Sequence, residues 1–207
     1  MKNYLLACVT AFLFCGSANA ALIADYSGGG TIFNYGNASG YAFSLNEDIN
    51  VTGLGVWDIG SDGFASMHNI GIFDKATQNL VASSTLSSGT SGTFVAGTVD
   101  GARLMSTNFN LFGGVEYYIL ADNFSVDQYV FGEGAVSYSS VLNWNGFVDG
   151  AANDIYSSPD FNSGLPGNLG PVFSYTVSAV PEPSTLALLG LGLAGVAFAA
   201  RRRKVQS

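Results

Sequence analysis

Between residues 21 and 180 the apolar residues never hold a long helical stripe. They come in short runs with period-two alternation, cut by Gly, Ser, Asn and Asp. The run 115–121 sets Val115, Tyr117, Ile119 and Ala121 on one side and Glu116, Tyr118 and Leu120 on the other. In 172–178, Phe173, Tyr175 and Val177 alternate with Ser174, Thr176 and Ser178, the pattern of a half-buried strand. Similar runs predict strands at 41–45, 49–57, 69–74, 79–85, 93–99, 102–109, 128–131 and 135–141. Many short strands separated by turn residues predict an all-β fold, a two-layer antiparallel β-sandwich of jelly-roll or Ig-like type. Residues 142–171 are rich in Asn, Gly, Asp and Pro and lack periodicity, so they read as a long loop region on that scaffold.

Apolar segments at both ends bound the domain. Lys2, the apolar stretch Tyr4 to Phe14 and the Ala18-Asn19-Ala20 triplet have the order of a secretory signal peptide over 1–20, cleaved ahead of Ala21. Both cysteines, Cys8 and Cys15, lie inside it. The ectodomain 21–180 therefore has no disulfide, no thiol nucleophile and no cysteine metal site. About 160 residues suffice for one domain with a real core. Of the basic residues only Lys75 and Arg103 fall in this span, against fourteen of the fifteen acidic ones, a net charge of −12. Such a surface repels nucleic acid and anionic membrane, which sets nucleic-acid binding aside.

The other end has three parts. Pro181 and Pro183 fix φ and hold Glu182 extended, readable by a protease-like site. Residues 186–200 carry no polar side chain and rise about 22 Å as a helix, so a short membrane span is expected over 185–200, extended by snorkelling cations. Arg201, Arg202, Arg203 and Lys204 then act as a stop-transfer cluster that stays in the cytoplasm. The Pro-Glu-Pro marker, short apolar helix and basic cluster over 181–207 together resemble the PEP-CTERM sorting signal of exported bacterial proteins. A plain C-terminal membrane anchor is the alternative. The resemblance implies a Gram-negative host, and an exosortase and signal peptidase as processing partners. It also implies passage through the inner membrane, then residence at the cell surface or in an extracellular matrix with exopolysaccharide.

Catalytic chemistry finds little support in the ectodomain. His68 is the only histidine, and no G-x-S-x-G elbow accompanies it, so it reads as a structural hydrogen-bonder. Glu47, Glu116 and Glu133 are the glutamates open to paired-carboxylate chemistry, but spacing does not bring any two together. No catalytic residue, metal or cofactor is assigned. Calcium is the better ionic candidate, with Asp58 and Asp62 four apart in a Gly-rich turn and looser sets at Asp122-Asn123 and Asp149 to Asp154. Among aromatics, Trp57 is in phase with Gly53 and Gly55 and is expected in the core. Trp144, between Asn143 and Asn145 in the expected loop, is the expected ligand contact, with the two amides as hydrogen-bonding partners. Tyr156 is a further aromatic suited to stacking on a sugar. The reading is a non-enzymatic exported protein associated with exopolysaccharide or biofilm. A carbohydrate-binding module is the first alternative, and a secreted hydrolase is the second.

Overall fold

The computed structural model describes residues 20–34, 36–132, 135–162 and 168–177. Ala18, the Pro181-Glu182-Pro183 marker, the span 185–200 and the 201–204 cluster lie outside them. No helix among the described residues is long and apolar enough to cross a membrane. The description concerns the first of two units into which the chain divides, Met1–Thr176, together with the last residue of its final strand.

The described residues are all β, with antiparallel pairing. In chain order the strands are β1 (Ala21–Leu22), β2 (Ala24–Tyr26), β3 (Thr31–Phe33), β4 (Ser39–Leu45), β5 (Ile49–Asp58), β6 (His68–Asp74), β7 (Leu80–Leu86) and β8 (Thr93–Ala96). They continue as β9 (Gly101–Leu111), β10 (Glu116–Ala121), β11 (Tyr129–Phe131), β12 (Val136–Tyr138), β13 (Leu142–Gly150), β14 (Pro159–Asn162), β15 (Asn168–Leu169) and β16 (Pro171–Val177). One sheet runs β1-β16-β5-β9-β8 and a second runs β14-β13-β4-β10-β6-β7, with two small sheets, β15-β11-β3 and β12-β2. Each run expected as a strand has a counterpart here.

The two large sheets share one core. From the first come Val51, Leu54, Trp57 and Phe173, and from the second Tyr41, Phe43, Ile72 and Ile119. The Phe43 and Phe173 rings meet across it at 5.6 Å. Trp57 is wholly buried, and Gly97 makes room for it: a Cβ there would stand 2.3 Å from the indole. Strand β10 follows its alternation. Tyr117, Ile119 and Ala121 enter this core, while Tyr118 and Leu120 pack into a second, smaller cluster with Phe73, Val148 and Ile155 on the outer face of the six-stranded sheet.

The long loop expected over 142–171 is corrected. It carries β13, β14 and β15, and β13 is an interior strand pairing with both β4 and β14. A bulge between Trp144 and Gly146 breaks the period-two pattern, so the apolar residues on its two sides fall out of phase in sequence although both belong to one strand.

Candidate functional site

The outer face of the six-stranded sheet is built by residues that alternate away from the main core. Phe73 on β6 and Tyr118 on β10 are cross-strand partners, and their rings stack at 4.9 Å with an interplanar angle of 7°. Gly71 permits this: a Cβ there would meet the Phe73 ring at 2.6 Å and Ile155 at 3.1 Å. Tyr156 stands edge-on to Phe73 at 6.1 Å, and Phe161 on β14 edge-on to Tyr118 at 5.3 Å. The Lys75 ammonium lies 5.3 Å over the Phe161 ring and 3.3 Å from the Glu116 carboxylate. Asn145, turned outward by the bulge, donates to Glu116 at 2.8 Å. The result is a continuous strip from Tyr156 through Phe73, Tyr118, Phe161, Lys75 and Glu116 to Asn145.

A segment tied down at both ends covers part of this face. Gly150 and Ala38 exchange backbone bonds with the start of the turn, Gly150 N–H donating to Ala38 at 2.8 Å and Ala38 N–H to Ala152 at 3.0 Å. Asn153 and Asn123 bond twice, each contact 2.6 Å. The Ser157 hydroxyl donates to Asp154 O at 2.7 Å. Ile155 is thereby buried, while Tyr156 stays 63% exposed. Between this segment and the 78–80 turn lies a hollow of ≈ 210 Å³. Burial pushes the Tyr118 hydroxyl above its ordinary pKa, which keeps it a neutral phenol.

The structure separates the residues the sequence grouped. Trp144 pairs with Phe43 on the core side of β13; it is half-buried against the main core, and its indole N–H is buried without a partner. The expected exposed ligand contact at Trp144 is therefore corrected, because the residue belongs to a strand and alternation turns it inward. Asn143 is exposed on the opposite face, donating to Asn46 at 2.7 Å. Of Trp57, Trp144 and Tyr156, it is Tyr156 that is exposed.

Asp58 is also placed elsewhere than the calcium option requires. It is buried, accepts from Arg103 Nε at 2.6 Å and takes the Gly63 amide at 3.1 Å, while Asp62 is exposed. Asp122 accepts from the Asn69 backbone and side-chain amides at 2.7 and 2.8 Å. Among the described residues no group of three or more His, Cys, Asp or Glu side chains converges as metal ligands would. His68 is wholly buried between Phe64 and Phe124. Its Nδ1 donates to Asp122 O at 2.6 Å, and its Nε2 meets Asp127 at 3.1 Å. Asp127 also takes the Ala65 and Ser66 amides at 2.7 and 2.8 Å, so of the two carboxylates that line the larger hollow of ≈ 450 Å³, Asp127 is engaged and Asp62 is exposed.

Phe73, Tyr118, Phe161, Lys75 and Glu116 were not singled out as a site in the sequence. One signal existed: Tyr118 lies on the Glu116 side of the β10 alternation, an aromatic on the face that polarity assigns to solvent.

Residues 179–204 match the family model of the PEP-CTERM protein-sorting motif. The motif implies an exosortase as processing partner, with export and membrane-associated sorting. No curated protein matches the chain.

Proposed function

We propose that this is a non-enzymatic protein of the cell surface or extracellular matrix, sorted there by an exosortase and associated with exopolysaccharide. The carrying observation is the sorting motif at 179–204, which begins just after the final strand, Pro171–Val177, of a β domain. We read the two large sheets as the layers of a sandwich. The non-enzymatic reading draws support from His68, whose ring nitrogens both face fixed oxygen partners in a closed aromatic pocket. Glu116 likewise is engaged by Lys75 and Asn145 rather than by a second carboxylate.

The test is replacement of Glu182 or Pro183 in the native host. Full-length protein should accumulate in the inner membrane with its tail uncut, read by fractionation and apparent mass. A variant cut and released like the wild type would leave the tail a simple anchor. The carbohydrate-binding alternative is favoured by the exposed Tyr156 and Phe161 rings on the outer sheet face.

A further inference from the structure

The hollow beside Tyr156 has an apolar floor, Phe73 and Tyr118, and an exposed ring at its lip. Its remaining polar lining includes the Gln78 and Asn79 amides and the Ser158 hydroxyl. None of these three side chains, nor the Tyr118 hydroxyl, forms a hydrogen bond with any described residue. Tyr118 is only 3% exposed as a residue, yet its hydroxyl is not among the buried polar atoms that lack a partner, so the oxygen itself reaches solvent. No charged side chain lines the hollow.

We propose that this hollow binds a single uncharged pyranose ring, one residue of a neutral polysaccharide; the proposal deepens the exopolysaccharide reading and rests on it. A pyranose has an apolar face of C–H groups that fits the electron-rich face of an aromatic ring, here Tyr156. Its rim carries vicinal hydroxyls, each both donor and acceptor. The Gln78 and Asn79 amides offer both functions side by side, which matches a diol better than an anion. A uronate, sulfate or phosphate group would meet no cation in the hollow and a strongly acidic domain around it. Size agrees: clefts for drug-sized ligands run about 300–1,000 Å³, while this one, at ≈ 210 Å³, suits one ring and opens to solvent for the rest of a chain. The Asn153–Asn123 and Ser157–Asp154 bonds fix the covering segment beforehand, so little ordering is left for binding to meet.

The full-length protein, purified in a detergent without a sugar headgroup, is run by affinity electrophoresis through gels containing dextran, galactomannan or alginate. At least one neutral polymer should retard it, and alginate should not. Tyr156→Ala should weaken that retardation roughly five- to thirty-fold, and Ser158→Ala by a smaller factor, with thermal melts unchanged. Retardation by alginate alone, by none of the polymers, or equally for wild type and Tyr156→Ala overturns the proposal. Polysaccharide binding that ignores Tyr156 leaves the surface reading standing and removes the hollow. Tyr156-dependent binding in a chain whose Glu182 variant is still processed keeps the hollow and removes the exosortase reading.

Discussion

At the scale of single residues, the two cations of the ectodomain do opposite jobs. Lys75 sits at the surface, bridging Glu116 and Phe161. Arg103 is buried, paired with Asp58, bonded to Thr90 O at 3.3 Å and lying 5.4 Å from the Phe94 ring centre. Removing one partner of a buried pair strands the other's charge, so Arg103→Ala should cost about 3–5 kcal/mol in urea unfolding. The double variant Asp58→Ala with Arg103→Met should cost less than that single change, and equal or greater loss would show that the charge is not what the site protects. Asp149 is the converse case. Desolvation, then the facing Asp160, raise its pKa to about 6, with a Ser39 hydrogen bond working the other way. The folded state thus holds this proton more tightly than the unfolded chain. Its stabilising contribution is complete below about pH 4 and fades as pH rises through about 6. The carboxyl is half-solvated, and screening reduces the effect to about 1 kcal/mol. Asp149→Asn should flatten the pH dependence of the melting temperature between pH 4 and 7; parallel curves for the two proteins would contradict it.

At the scale of elements, the alternation of β10 was legible because each side chain obeys its face, Tyr117 and Ile119 inward, Tyr118 and Leu120 outward. What was not legible is that the outward set is also buried. That burial comes from the 151–158 segment, held by Asn153 to Asn123 thirty positions away, and pairing at that distance leaves no local pattern. Strand β13 was hidden for another reason. Its bulge inserts one residue, so Leu142 and Phe147 lie opposite the core residues Leu45 and Tyr41 with a broken period between them. The Asn and Gly residues that signal a loop are here the means of turning Asn145 out towards Glu116. The misplacement of Trp144 follows directly: its neighbours suggested exposure, whereas its strand register with Phe43 decides burial. Trp57 was legible because Gly53 and Gly55 mark close strand approach on one unbroken phase.

At the scale of the whole molecule, the first and last strands of the described β domain meet in one sheet. Ala21 lies opposite Tyr175 and Leu22 opposite Ser174, while β16 itself sits between β1 and β5. Without β16 the first strand has no partner, β5 becomes an edge, and the core loses Val172, Phe173 and Tyr175. Three such side chains are worth about 4.5–9 kcal/mol at about 1.5–3 kcal/mol each, comparable to the total stability of about 5–15 kcal/mol typical of a domain. A chain spanning 21–170 should therefore show no cooperative melt by far-UV circular dichroism, whereas 21–177 should melt cooperatively and need no disulfide to do so. Because the sorting motif begins at residue 179, the domain gains its last strand only when the residues directly ahead of that motif have been delivered. A cooperative melt of 21–170 near the temperature of 21–177 would contradict that need for β16, since the sheet would then hold together without the strand between β1 and β5.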